Sequence, residues 1–202
     1  MTGSKKVVCF FEDIAHEKFI SALIRRAAEQ LGIPELQIKV LNATQGSKVW
    51  PELTKYLRRM QKGEVALPDV LVVVIDGNCK RMQRVRRQIQ QKIEEICGKS
   101  HTIKLACAVP EPHIERWYLE DQHALKSILP GAQPRKLKHK HKCKRNLRNL
   151  YKRALIEAIR AAGVEPLLGG AEYGEDIAIS LNTASLDRSF QAFWAELQAA
   201  LK

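Results

Sequence analysis

The stretch Asp69-Val-Leu-Val-Val-Val-Ile-Asp76-Gly77-Asn78 decides the fold. From Val70 to Ile75 every residue is a branched aliphatic with no polar alternation, so both faces of the segment must be covered, as in a central strand of a parallel sheet. The apolar run stops abruptly at Asp76, which delivers a carboxylate to the strand's C-terminal edge, and Gly77 lets the backbone turn. Ligands of open α/β sheets bind at that edge. Asp, Gly and Asn are also good turn residues, so the stretch taken alone reads equally as a plain strand-to-helix connection.

Upstream, Lys5 to Phe11 (KKVVCFF) is a short hydrophobic run that ends in Glu12-Asp13 and reads as a first strand. His16 to Leu31 carries Phe19, Ile20, Leu23, Ile24, Ala27, Ala28 and Leu31 at helical spacing, with Gly32 as a stop. Gln37 to Leu41 reads as a second strand, and a polar loop bearing Gly46-Ser47-Lys48 leads to a helix over Trp50 to Met60, with Pro51 in its first turn. Downstream, Met82 to Ile96 is a helix with Val85, Ile89, Ile93 and Ile96 inward, and Thr102 to Val109 is a fourth strand. The order βαβαβαβ predicts a mainly parallel four-strand α/β sheet with right-handed crossovers and helices on both faces.

After Pro110-Glu-Pro112, His113-Ile-Glu115-Arg116-Trp117 opens a new helix. Asn149 to Ala162 is amphipathic, Leu167 to Glu175 reads as a glycine-rich loop, and Ser189 to Leu201 is a final helix with Phe190, Phe193, Trp194, Leu197 and Leu201 on one face. Residues 1–125 are expected to form the α/β domain. Residues 126–202 supply a basic segment and a helical C-terminal extension packed on the same core.

With 202 residues there is chain enough for a sizeable core. A net charge of +12 favours a polyanionic partner, and nucleic acid fits better than membrane because no long apolar segment or lipidation signal is present. The chain runs from a short polar start into its first strand without a secretory signal. Its cysteines are odd in number and scattered, so reduced thiols in a cytosolic protein are expected. The basic segment interleaves Arg135, Lys136, Lys138, Lys140, Lys142, Lys144 and Arg145 with His139 and His141. Such a tract can neutralise several phosphates and gives salt-dependent, non-specific affinity. Arg81, Arg84, Arg86 and Arg87 on the outer helix face would extend it. His139, His141 and Cys143 lack the second cluster that a zinc site needs.

In a parallel sheet, Glu12 and Asp76 leave from the same edge and can meet although 64 positions separate them. Hard oxygen ligands there suit Mg²⁺ or Mn²⁺. Asp13, Glu17 and Asn78 could add direct or water-mediated ligands, while Asp13 and Glu12 could equally cap the following helix. Backbone N–H groups of Gly46-Ser47 and the Lys48 side chain could hold a phosphate, but the full nucleotide-hydrolysing loop pattern is missing. No glycine fingerprint or nucleophile elbow supports a small-molecule α/β enzyme.

Taken together and in order, these pieces resemble the TOPRIM domain, and more closely the small stand-alone TOPRIM-like proteins related to the OLD and RloB nucleases. The matching pieces are Phe11-Glu12-Asp13 with His16-Glu17, Gly46-Ser47-Lys48, Asp76-Gly77-Asn78, Pro110 to Trp117, and Ser189-Phe190 with Phe193-Trp194. The resemblance implies a TOPRIM-like sheet and a Mg²⁺-dependent nuclease site. It also implies a role in bacterial defence against phage beside an ATPase partner of ABC or AAA type. Glu12 would be the TOPRIM glutamate and Asp76 the first acid of the D-x-D motif. Asn78 stands where the family has its second Asp, which weakens a two-ion site. Glu115 would then supply the missing charge, or else it is a solvated or Arg116-paired helix residue. A catalytically weak or inactive subunit that binds nucleic acid or docks a partner is the alternative.

Overall fold

The computed structural model of the chain describes residues 4–41, 48–78, 80–137 and 149–202. Its centre is a four-stranded, wholly parallel sheet of β1 (Lys5–Phe10), β2 (Leu36–Val40), β3 (Val70–Val74) and β4 (Leu105–Ala108), in the order β2-β1-β3-β4. Val7 pairs with Val70 and Phe10 with Val73, and Leu71 to Val74 pair with Leu105 to Ala108. β3 therefore lies between two neighbours, and its five residues are completely buried, as its unbroken aliphatic composition requires.

Alternation of side chains across the strands divides the core in two. Val8, Phe10, Leu71, Val73 and Cys107 face α2 (Val49–Gln61) and α3 (Met82–Cys97). Val7, Cys9, Val70, Val72, Val74, Ala106 and Ala108 face α1 (Ile14–Gln30) and the helices that follow the sheet. Those are α4 (Ile114–Glu120), α5 (Gln122–Ile128), α6 (Leu150–Arg160), α7 (Gly174–Ser180) and α8 (Arg188–Leu201). Trp117 on α4 locks this larger half together. Its indole N–H donates to Ser189 Oγ at 3.0 Å, and its ring lies 5.2 Å from Phe190 and 6.0 Å from Phe193, centroid to centroid. No helix among the described residues is long and apolar enough to cross a membrane.

Several sequence expectations differ from the structure. The segment Leu167 to Glu175, expected as loop, contains a 3₁₀ turn over Ala171–Tyr173 and the start of α7. Gly174 reads as a breaker, but it is there because its missing side chain leaves room for the Tyr118 hydroxyl, which donates to Ala15 O at 2.8 Å. Helix α5 was not expected; Asp121 starts it, accepting from His123 N and Ala124 N. The fourth strand begins at Leu105, not Thr102.

The β4 edge is closed by α8. Cys107 N–H, with no strand beyond it among the described residues, donates to Glu196 Oε2 at 3.1 Å, and the other oxygen of Glu196 pairs with Arg86 of α3. This corrects the placement of Arg86 on the solvent-facing basic strip: it is half-buried, its charge already matched by a carboxylate. Glu196→Ala is expected to cost about 1–3 kcal/mol by stranding both partners. Glu196→Gln, which keeps an acceptor for Cys107, should cost less. Urea unfolding of the two variants tests this; equal and negligible losses would show that the clamp contributes nothing.

Candidate functional site

The C-terminal ends of β1 and β3 place Glu12 and Asp76 side by side. Asp76 N–H donates to Glu12 Oε2 at 2.7 Å, so the glutamate clasps the backbone of the aspartate that leaves the buried strand. The turn after β3 is held against the end of β4 by Gly77 N to Pro110 O and Asn78 N to Pro112 O, both 2.8 Å. A Cβ at Gly77 would come 2.9 Å from Pro110 O, so this approach admits glycine alone. The same crossing supplies Glu111, whose carboxylate accepts from Met82 N and caps α3, a helix start that Arg81 does not cap with its side chain.

The Asp76 carboxylate collects donors from two other elements. Oδ1 accepts from His16 Nε2 and from Ile114 N, each at 3.0 Å, and Oδ2 accepts from His113 Nδ1 at 2.9 Å. His16 is fully buried in the first turn of α1. Its Nδ1 lies 2.7 Å from Asp13 Oδ1, the oxygen that also caps the helix by accepting from Ala15 N and His16 N. Asp13 thus orients the imidazole and leaves Nε2 aimed at Asp76, the arrangement in which a carboxylate fixes the tautomer of a ligating histidine.

Electrostatics follow from this packing. Burial alone would raise Asp76, but the His16 charge and the hydrogen bonds from both histidines outweigh it and hold the carboxyl below the usual range. Burial would lower His16, yet Asp76 and the hydrogen bond to Asp13 push it well above its ordinary value, while Asp13 falls to about 2. His113 is raised against its own burial by Asp76. Glu12 and Glu115 move up, first through burial and then through the neighbouring Asp76 charge. The site therefore combines a fixed anion with two carboxyls that favour a proton or an added cation.

Glu12, His16 and Asp76 each present one ligand atom, all within 4.8 Å of one another. Adjacent donors on one octahedral Mg²⁺-sized ion stand about 3 Å apart and opposite ones about 4.2 Å; His16 Nε2 and Asp76 Oδ1, 3.0 Å apart, already have the adjacent spacing, and the widest pair would have to draw in to reach an ion. Two carboxylates and an imidazole suit Mn²⁺ at least as well as Mg²⁺, because imidazole is a borderline ligand.

The remaining candidates are placed unevenly. Asn78 is exposed at φ +50°, and its Nδ2 donates to Asp76 O, so its amide closes the turn. Glu115 is half-buried near Asp76. Arg116 does not pair with it, and turns instead to Glu120 and Asp187. Lys48, Arg81, Arg84 and Lys136 are exposed. Gly46, Ser47, Lys138, Lys140, Lys142, Lys144 and Arg145 lie outside the described residues. The place of His16 in this candidate cluster was not anticipated from sequence. The signal was there: it stands three residues after a capping aspartate, at a position of the apolar stripe where Phe19, Ile20 and Leu23 follow.

In the metal-free protein, His16 should titrate well above an ordinary histidine. Its contribution to stability is complete below the unfolded value of about 6.5 and is lost as pH rises through the folded one. Asp76→Asn, which keeps an acceptor for Ile114 N, should return the His16 midpoint toward 6.5, read from imidazole NMR shifts. A wild-type His16 that titrates at or below the ordinary value would contradict the double clamp.

No family model matches the chain, and no curated protein matches it. Among solved structures, the C-terminal region of the Xanthomonas campestris pv. campestris OLD protein is similar. One structure of it is 15% identical, with 98% of this chain and 96% of that chain covered at a TM-score of 0.46. A second is 12% identical, with the same shares covered and a TM-score of 0.43. The likeness lies in the fold.

Proposed function

We propose that the protein is a divalent-metal-dependent phosphodiesterase that cleaves DNA or RNA. The observation that carries this reading is the meeting of Glu12, His16 and Asp76 at the carboxyl edge of a parallel sheet, in a chain of net charge +12. Glu12, Asp76 and His16 Nε2 would hold a Mg²⁺ or Mn²⁺ ion, with Asp13 bracing His16 from behind. When bound, such an ion supplies positive charge for the phosphoryl oxygens and for the leaving oxygen.

The chain's own groups would do the rest. Glu115, whose carboxyl is shifted upward beside Asp76, is suited to take a proton from an attacking water or return one to the leaving oxygen. His113 steadies Asp76 Oδ2. Exposed Lys48 and Arg81, at the N-terminal ends of α2 and α3, with Arg84 and Lys136, would contact phosphates, and the positive ends of the two helix dipoles add to their field. Lys138, Lys140, Lys142, Lys144 and Arg145, outside the described residues, would add phosphate contacts by their charge. By the motif resemblance, the chain would act as the effector of an anti-phage defence system with an ABC- or AAA-type ATPase partner. The placement of Asn78, whose amide serves the turn, favours one ion over two. It also keeps alive a second reading, a non-cutting subunit that binds nucleic acid.

Glu12→Gln and Asp76→Asn should each lower Mn²⁺- or Mg²⁺-dependent cleavage of DNA and RNA oligonucleotides about a hundredfold or more while leaving oligonucleotide binding in place. Undiminished cutting in both variants would remove this site from the chemistry. Tight binding with no metal-dependent product from the wild type would select the non-cutting reading.

A further inference from the structure

A cleft of about 240 Å³ opens directly beside Glu12 and Asp76, and its other walls come from the sheet face covered by α2 and α3. Trp50 of α2, Ile75 and Val85 of α3 give it an apolar lining, while Asn78, Lys80 and Gln88 add amides and a cation. Trp50 is half-buried, packed on the apolar cluster below α2 yet still open to the cleft. The chain's other tryptophans, Trp117 at 0% and Trp194 at 8% exposure, are both in the core. An indole lining a cleft beside two carboxylates has no part in their holding a cation, and the cleft is smaller than the roughly 300–1,000 Å³ of sites that engulf drug-sized ligands. Its volume admits one small group such as a single base. The combination of an aromatic platform, side-chain amides that can meet a base edge, and a lysine for a phosphate is the chemistry by which proteins hold unpaired nucleotides.

We propose that this cleft receives one unpaired nucleobase, stacked on Trp50, next to the phosphodiester held at Glu12 and Asp76. The substrate class follows: single-stranded nucleic acid, or a strand whose base is splayed out of a duplex. A base inside a duplex has both faces covered by its neighbours and cannot present one to Trp50 without unstacking. Gln88 and Asn78 read the edge of the base, and Lys80 takes the adjoining phosphate. The proposal rests on the phosphodiesterase reading for its placement of the phosphate.

The test is a titration of the full chain in EDTA, so that no cleavage is required, using a short single-stranded oligothymidylate and a blunt duplex as probes. Tryptophan emission and fluorescence anisotropy are both followed. The single strand should quench emission and bind more tightly than the duplex. Trp50→Ala should abolish the quench and weaken single-strand binding roughly five- to a hundredfold. Trp50→Phe should lose the quench but keep most of the affinity, since a phenyl ring still stacks. Unfolding midpoints of both variants separate a folding defect from a binding one, and Gln88→Ala gives a second perturbation that leaves the apolar packing of Trp50 intact. Equal binding of duplex and single strand, with neither Trp50→Ala nor Gln88→Ala weakening it, overturns the proposal. Quenching that persists in a protein shown not to cut leaves the base site standing and removes only the hydrolytic reading.

Discussion

A carboxylate at the end of a fully buried strand cannot be left without partners, and Asp76 shows how the rest of the molecule answers that constraint. Hydrogen bonds from His16, His113 and Ile114 converge on its two oxygens, and its own N–H is taken by Glu12. Those groups come from the ends of β1 and β4 and from the first turns of α1 and α4. The strand order β2-β1-β3-β4 is what puts these ends on either side of Asp76. An ionised carboxyl in such a place would be strongly destabilising without its donors, which makes the convergence a condition of the fold as much as a feature of the site.

The same convergence creates an uneven electrostatic landscape. Asp76 and Asp13 are held as anions by buried imidazole, whereas Glu12 and Glu115 sit close to that negative charge and are driven upward. Neighbouring carboxyls pushed in opposite directions by their surroundings are how acid–base roles come to be divided in one site. An ion entering among Glu12, His16 and Asp76 would relieve the repulsion that raises Glu12 and would take the place of the proton shared between His16 Nε2 and Asp76 Oδ1. Proton and metal would then compete for the same pair of atoms, which stand 3.0 Å apart, close to the spacing of adjacent ligands on one ion.

The sheet was legible because its signals are local and strong. Val70 to Ile75 could only be a doubly covered strand, and the 3.6-residue stripes of α1, α2, α3 and α8 each name their buried face. What composition hid was contextual. Gly174 reads as a loop residue until Tyr118 is seen occupying the space beside it, and Asp121 announces a helix only once its capping bonds are known. Arg86 reads like its neighbours Arg84 and Arg87 and differs from them only because α8 brings Glu196 against it. At the site, the meeting of Glu12 with Asp76 was accessible from parallel topology. The roles of His16 and His113 depend on side-chain direction across three elements, which spacing along the chain does not encode. Asn78 is the instructive case: the sequence shows that an acid is missing, and the structure shows what the amide does in its place.

Under the proposed function, the division of the core sets the direction from which a substrate would reach this site. On the α1 and α4 side of Asp76, both oxygens are engaged by His16, His113 and Ile114, and the fully buried His16 lies on the same helix as Phe19, which packs against Trp117 and Tyr118. On the α2 and α3 side lie the cleft, Trp50, and the exposed cations Lys48, Lys80, Arg81 and Arg84 at or near the starts of two helices. The half of the sheet that buries fewer side chains is thus the half left open for a polyanion. The helix dipoles there point their positive ends toward the same edge to which β1 and β3 deliver their carboxylates. A phosphate drawn to those helix ends would meet Glu12 and Asp76 as like charges. A cation lodged between them would turn that repulsion into attraction and add to a grip that the helix ends and the exposed cations already begin.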